Sequence, residues 1–335
     1  MRLSIVVPCY NEEAVIELFD TRIRETLHAL SVDFELCYVD DGSSDRTLDR
    51  LRSLAEGREA STRYVSFSRN FGKEAGILAG LKETTGDAVV IMDADLQHPP
   101  ELIAQMLDLH RTGYDQVIAR RTREGDKKLR SAVSRLYYRV INKWVDVELT
   151  DGVGDFRLLS RRAVDALLSM PEYNRFSKGL FSWIGFDTVT FDYRNAAREA
   201  GETKWRFGAL VNYGMDGLIS FNNRPLRLAI YMGMLLSAIA VTYAGAITVM
   251  AMIEGPQVPG YVTLLVAIVG LGGLQMLMLG LIGEYIGRIY YETKQRPHFL
   301  VKETNAPRAF GVSPTEGAAS AESPAAAVIP RMEIR

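Results

Sequence analysis

Apolar residues in the first hundred positions fall into short runs bounded by polar turns, and between those runs they recur at helical spacing. The pattern predicts strands over Leu3 to Val7, Phe34 to Val39, Arg63 to Ser68 and Ala88 to Met92. It predicts helices over Glu12 to Leu30, Ser44 to Ala55 and Lys73 to Thr85, the second opened by Ser43 or Ser44 as N-cap. A βαβαβαβ run calls for a parallel sheet with helices on both faces. Ligands bind such sheets beyond the carboxyl ends of the strands. The polar clusters fall there: Tyr10-Asn11-Glu12 after the first strand, Asp40-Asp41-Gly42-Ser43 after the second and Asp93-Ala94-Asp95 after the fourth. Carboxylates gathered at one edge repel unless something cationic or hydrogen-bond-donating sits among them.

Further along, Lys127 to Val145 carries Leu129, Val133, Leu136, Tyr137, Val140, Ile141 and Trp144 at helical spacing with six basic residues around them. That mixture suits a helix lying on an anionic membrane surface, or a core-facing helix with a solvated basic face. Phe207 to Asn223 is a second such segment. Two uncharged stretches follow, 26 residues from Leu228 to Ile253 and 23 from Tyr261 to Gly283, and each exceeds the roughly 20 residues needed to cross hydrocarbon. They predict a transmembrane hairpin. Arg224 and Arg227 precede it, Arg288, Lys294, Arg296 and Lys302 follow it, and the connecting loop has no Lys or Arg. Both termini are therefore expected on the cytoplasmic side of an inner or plasma membrane. The expected organisation is a catalytic domain with interface helices over 1–224, the hairpin and its flank over 225–302, and a disordered Ala/Pro/Ser/Glu tail over 303–335.

Charge narrows the partners. Thirty-nine basic against 41 acidic residues give a net charge of −2, so no global basic field exists to hold nucleic acid. Cys9 and Cys37 have no CxxC or metal-ligand spacing and are expected as free thiols. Glycines at 72, 76 and 80 recur every four residues, which suits close helix packing; no G-x-G-x-x-G or P-loop pattern occurs. His98, beside Pro99-Pro100, is expected as a turn residue, with metal ligation as the alternative.

Asp93-x-Asp95 is the sharpest chemical feature. Two carboxylates at a strand end, with the Gln97 amide two residues on, form a hard-oxygen half-shell suited to Mg²⁺ or Mn²⁺ and a diphosphate. Pro8-Cys-Tyr10-Asn11-Glu12, Asp40-Asp-Gly-Ser-Ser-Asp45, Asp93-Ala-Asp95-Leu-Gln97-His-Pro99, Gly154-Asp155-Phe-Arg157-Leu-Leu-Ser-Arg161 and Arg198-Glu-Ala-Gly201-Glu-Thr203-Lys204-Trp205 occur in that order. Together they resemble glycosyltransferase family 2, in particular its polyprenyl-phosphate glycosyltransferases with two C-terminal spans. The likeness covers about Met1 to Lys302.

The resemblance implies an α/β fold of GT-A type: a Rossmann-like, mainly parallel sheet, followed by amphipathic interface helices and a two-helix transmembrane hairpin. It implies that Pro8, Tyr10, Glu12, Asp40, Asp93 and Ala94 hold the donor nucleotide. Asp95 and Gln97 would bind Mg²⁺ or Mn²⁺, and Arg198 and Lys204 would close over the donor phosphates. Asp155 corresponds to the catalytic carboxylate, which would orient or activate the acceptor for an inverting transfer. A lipid monophosphate is mostly a dianion at neutral pH, so Asp155 has less proton to remove than the word base suggests. Arginine forks suit that dianion. The candidates are Arg120, Arg121 and Arg130, with Ser134 one helical turn after Arg130; whether Arg120 or Arg121 matches the family position stays open here.

The expected reaction moves one sugar from a nucleotide-sugar donor, with UDP-glucose first, to polyprenyl phosphate at the cytoplasmic membrane face. Two spans leave little room for a sugar pore, so a separate flippase and a downstream glycosyltransferase are expected partners. Small residues in the spans permit a homo-oligomer. A processive polysaccharide synthase is the nearest alternative, but no Gln opens the Q-x-x-R-W motif such enzymes carry. A non-enzymatic membrane scaffold with a nucleotide-binding domain is the other.

Overall fold

The computed structural model describes residues 1–58, 61–122, 153–193, 224–255 and 260–306, with some side chains of the last two helices left out. Eight strands form one mixed sheet: β1 (Arg2–Cys9), β2 (Asp33–Asp40), β3 (Thr62–Phe67), β4 (Ala88–Ile91), β5 (Gln116–Arg121), β6 (Val153–Ser160), β7 (Thr188–Tyr193) and β8 (Val301–Thr304). Their order is β7-β5-β6-β4-β1-β2-β3-β8. The run β3-β2-β1-β4 is parallel, as is β5 with β7, whereas β6 runs antiparallel to both of its neighbours and β8 antiparallel to β3.

Strand β1 shows why the layers form. Leu3, Ile5 and Val7 face one core and Val6 the other, all fully buried, the near-continuous apolar run of a strand covered on both faces. On the first face lie α1 (Ile16–Ala29), which inserts Ile16, Phe19, Ile23 and Leu27, and α4 (Leu102–Arg111), with α2 (Thr47–Ala55) beside α1. The second face is covered by α3 (Lys73–Glu83), α5 (Arg161–Leu168) and α6 (Ser177–Trp183). A Cβ on Gly80 would come within 2.3 Å of Val6 Cγ1, so glycine is what lets α3 lie against β1. Cys9 and Cys37 are free and buried.

Several boundaries differ from the periodicity. The first helix begins at Ile16 rather than Glu12, because Asn11 takes a left-handed φ of 54° and the following residues form a turn. The second begins at Thr47, without a serine cap. Ser43 Oγ instead accepts from Asn11 N, and Asp45 Oδ1 accepts from the Thr47 amide and hydroxyl.

Two long helices follow, α7 (Arg224–Glu254) and α8 (Tyr261–Lys294). Among the described residues no helix is long and apolar enough to cross a membrane. The expected interface helices at 127–145 and 207–223 lie outside the described residues. Beyond α8 the chain returns to the sheet and forms β8, which corrects the start of the expected disordered tail: Glu303 and Thr304 are strand residues. The reason is partnership. Glu303 accepts two bonds from Arg52, at 2.8 and 2.5 Å, and one from Tyr64 at 2.7 Å, while Asn305 pairs with the backbone of Thr62 and Tyr64. Phe299 stacks on Phe67 with centroids 4.8 Å apart.

At the opposite end of the sheet from the strand carboxyl termini, Glu83 is buried and its Oε1 has no hydrogen-bond partner among the described residues. Burial pushes this carboxyl up to about 7, opposed by the Arg63 charge and reinforced by Glu35. An acid whose pKa rises on folding stabilises the fold below its ordinary value of 4.5, and that stability is lost as pH climbs through 7. Glu83→Gln should therefore raise stability by on the order of 1–3 kcal/mol at pH 8, with the gain vanishing near pH 4. Thermal melts across pH check this, and a lower melting temperature for the variant at pH 8 contradicts it.

Candidate active site

The carboxyl ends of β1, β2 and β4 open on one edge, and the loops beyond the first two are laced together. Asn11 N donates to Ser43 Oγ at 2.9 Å, Ser44 N to Asn11 Oδ1 at 2.9 Å and Glu12 N to Thr47 Oγ1 at 2.8 Å. The lacing ties the loop that carries Tyr10, which is exposed, and the half-buried Glu12 to the loop that follows Asp40. Asp40 is itself buried and accepts from Ser43 N at 3.1 Å and Ser66 Oγ at 2.6 Å. Pro8 lies under α3, where a Cβ on Gly76 would meet its ring at 3.4 Å.

Asp41 does something else. Its carboxylate accepts from the backbone of Phe71 at 2.6 Å and of Gly72 at 2.9 Å, clamping the loop that leads into α3. Burial pushes its pKa up, and these two amides oppose the rise. Opposite, Gly42 holds φ +66° with the Arg69 carbonyl carbon 2.4 Å from where a Cβ would sit. No side chain fits between the two loops.

The third cluster follows β4. Ala94 and Leu96 are buried in the core, which leaves Asp93, Asp95 and Gln97 to the cleft. Leu96 has φ 55°, and Gln97 N donates to Asp95 Oδ1 at 3.1 Å. Asp155 reaches the same edge from the other direction, because β6 starts there and runs antiparallel to β4. Ile91 pairs with Arg157, so two steps further out position 93 faces position 155. Two like charges would meet, and a cation sits between them. Lys73 Nζ, at the start of α3, lies 2.6 Å from Asp93 Oδ1 and 2.7 Å from Asp155 Oδ2.

Burial pushes the Asp93 carboxyl up, but the Lys73 charge outweighs it and, with His98, holds the acid well below the usual carboxylate range. Asp155 is likewise lowered against burial by Lys73 and then Lys178. The two acids hold Lys73 charged. His98 is a member of the site as well as of the turn: it stacks on Phe156 with centroids 4.9 Å apart, its Nδ1 is 2.6 Å from the Tyr193 hydroxyl, and its Nε2 is 3.8 Å from Asp93.

The two adjacent arginines part company at the end of β5. Arg120 makes a two-pronged pair with Asp192, at 2.5 and 2.9 Å. Arg121 pairs in register with Tyr193 instead, and its charge acts on that hydroxyl, which burial pushes up to about 12 while Asp95 and Asp93 reinforce the rise. Arg121 is thus the arginine on the side of the acidic cleft. Arg130, Ser134, Arg198 and Lys204 lie outside the described residues. Motif reasoning missed Lys73 and Tyr193, and it gave His98 as a turn residue without its contact to Asp93. The repulsion between converging carboxylates already demanded a cation, and a lysine at the first turn of the helix after β3 was the signal that could have named it.

Among the described residues no three His, Cys, Asp or Glu side chains converge on one point. The Asp95 carboxylate and the Gln97 amide oxygen, two residues apart across the Leu96 turn, are by chemistry a partial shell for a hard divalent cation, completed by phosphate oxygens and water.

A family model described as glycosyl transferase family 2 matches residues 4–168, and one described as GtrB C-terminal hairpin matches residues 224–289. The chain is 52% identical over 305 residues to the putative glycosyltransferase CsbB of Bacillus subtilis (strain 168), covering 91% of this chain and 92% of that protein. It is 40% identical over 303 residues to the prophage bactoprenol glucosyl transferase homolog of Escherichia coli (strain K12), covering 90% and 99%. To the bactoprenol glucosyl transferase of Shigella phage SfX it is 39% identical over 303 residues, again covering 90% and 99%.

The close approach at Gly42 makes a prediction. Gly42→Ala should drive the 69–72 loop away and cost about 2–4 kcal/mol. Gly57→Ala, at a φ of +70° with open space around it, carries backbone strain alone and should cost about 1 kcal/mol. Denaturant melts of the two variants compare them, and equal losses would remove the steric argument.

Proposed function

The chain belongs to glycosyl transferase family 2 and carries a GtrB C-terminal hairpin, and from that premise we propose that it transfers one sugar, with inversion, from a nucleotide-sugar donor to polyprenyl phosphate at the cytoplasmic face of a membrane. UDP-glucose is the first donor to test, since two of the relatives above carry bactoprenol glucosyl transferase in their names. The observation that carries the reading is the meeting of Asp93, Asp95 and Asp155 at one sheet edge, beside the strand ends that hold Tyr10, Glu12 and Asp40.

Each residue then has a task. Pro8, Tyr10, Glu12, Asp40, Asp93 and Ala94 form the wall against which the nucleoside lies. Asp95 and Gln97 would hold Mg²⁺ or Mn²⁺, which when bound supplies positive charge against the donor diphosphate. Asp155, across the cleft, would accept the proton of the lipid phosphate's monoanionic fraction, directing the freed oxygen at the anomeric carbon opposite the leaving group. That acceptor is already nucleophilic as a dianion, so proton removal is a small part of the barrier. Its own charge is the larger problem. Arg121, which lies on the Tyr193 side of β5 toward the acidic cleft, is the first candidate for that task, while Arg120 forks onto Asp192. Arg130, Ser134, Arg198 and Lys204 remain candidates by motif.

A lipid acceptor requires a catalytic domain held at the bilayer. The uncharged runs of 26 and 23 residues support α7 and α8 as two membrane spans. So do Val241, Met252, Ile253, Met276 and Leu277, which expose 70–81% of their surface in a chain whose sheet domain buries such residues. The basic flanks favour both termini on the cytoplasmic side. Export of the product then falls to a separate flippase, and further use of it to a downstream glycosyltransferase.

Detergent-purified protein given short-chain polyprenyl phosphate with Mg²⁺ or Mn²⁺ should release nucleoside diphosphate from one sugar donor among UDP-, GDP- and dTDP-sugars. Chelator should stop turnover, omission of the lipid phosphate should stop it too, and Asp95→Asn should reduce it by at least about 100-fold. A product bearing many sugars would favour a processive synthase. Folded protein that is silent with every donor would favour the scaffold.

A further inference from the structure

Lys73 belongs to none of the motifs, yet its ammonium joins the two carboxylates that face each other across β4 and β6, at 2.6 Å from Asp93 and 2.7 Å from Asp155. The backbone on either side of it is gripped. Before it, Asp41 accepts from the amides of Phe71 and Gly72. After it, Glu74 accepts from the Ser177 amide at 3.0 Å and from the Ser177 hydroxyl, fastening the first turn of α3 to α6. A lysine kept for solubility would not be anchored from both neighbours and aimed between two acids. Its side chain nevertheless stays 43% exposed, so the pair it holds forms the open floor of the cleft rather than a sealed core contact.

Without the ammonium, Asp93 and Asp155 would stand as unbridged like charges in adjacent register and one would turn away. Beyond Lys73, Asp155 feels the charge of Lys178. Asp93 also has His98 within 3.8 Å, itself held by Tyr193. We propose that Lys73 is a positioning residue of the transfer reaction, aiming the Asp155 carboxylate at the acceptor through their ion pair, with Asp41 and Glu74 fixing the backbone from which it reaches. The inference rests on the transferase reading above.

A double-mutant cycle tests it on the full chain in detergent: wild type, Lys73→Met, Asp155→Asn and the two combined, with Lys73→Arg beside them. The readouts are kcat at saturating donor and lipid phosphate, UDP affinity by calorimetry, and melting temperature. Lys73→Met should lower kcat by about 100-fold, as a misplaced reactive group does, while UDP affinity changes by less than about threefold. In the Asp155→Asn background the same substitution should cost less than about threefold more, because the partner it acts through is gone. Lys73→Arg, which keeps the charge, should recover a measurable part of the rate. Should Lys73→Met melt below the assay temperature, Lys73→Gln is read against the same limits. A full-sized loss in the Asp155→Asn background overturns the inference, as does wild-type kcat in Lys73→Met or a fall in UDP affinity that matches the fall in kcat. Wild-type protein that turns over no donor overturns the transferase reading itself, whereas active wild type with additive losses overturns only the role of Lys73.

Discussion

Like charge at close quarters is the constraint from which the cleft is built. The order β6-β4-β1-β2 brings acids from three separate strand ends and one strand start to a single edge, and nothing in the backbone geometry separates them. Each acid is accommodated differently. Asp40 accepts from Ser43 and Ser66, and Asp41 accepts from backbone amides at the head of α3. Asp93 and Asp155 share a full positive charge. Hydrogen-bond donors stabilise a carboxylate in place, but an ammonium also sets the separation and direction of two of them, which is why the arrangement at Lys73 fixes geometry as well as charge.

The consequences run outward through the elements that carry the lysine. Helix α3 approaches β1 closely because Gly80 leaves room for Val6, and its first turn is bound to α6 by Glu74 and Ser177. The segment before α6 is bound in turn to the end of α8, where Glu292 accepts from the amides of Tyr173 and Asn174 at 2.8 and 3.2 Å, and Tyr173 stacks between Tyr291 and His298. A few residues later β8 completes the sheet edge. Helix α8 is thus fastened to the sheet domain at both ends of the stretch that follows it.

Much of this was legible in the sequence because it depends on local pattern. Strand cores, the α/β alternation and the polar clusters beyond β1, β2 and β4 all follow from spacing within a few residues, and the ordered motifs carried the family. What escaped depends on contacts between distant positions. The start of α2 moved because Ser43 and Ser44 bond to Asn11 instead of capping, a preference visible only once the two loops meet. Strand β8 reads as a short polar segment, Val-Lys-Glu-Thr, and becomes a strand through Arg52, Tyr64 and the open edge of β3. Arg120 and Arg121 could not be told apart by position, and strand alternation separates them.

Lys73 is the most instructive of these cases. Its neighbours in sequence, Phe71-Gly72 before and Glu74-Ala75-Gly76 after, read as an ordinary loop running into a small-residue helix. Its importance is set by partners 20 and 82 positions away. The requirement for it, however, was already implied: once acids at 93 and 155 are assigned to one edge, electrostatics demands a cation within a few ångströms, and the topology admits few places from which one can reach. Helix starts that follow parallel strands are such places, because they open on the same edge as the strand ends. Charge balance at a sheet edge therefore predicts residue types that motif comparison leaves unnamed, and it does so from topology alone.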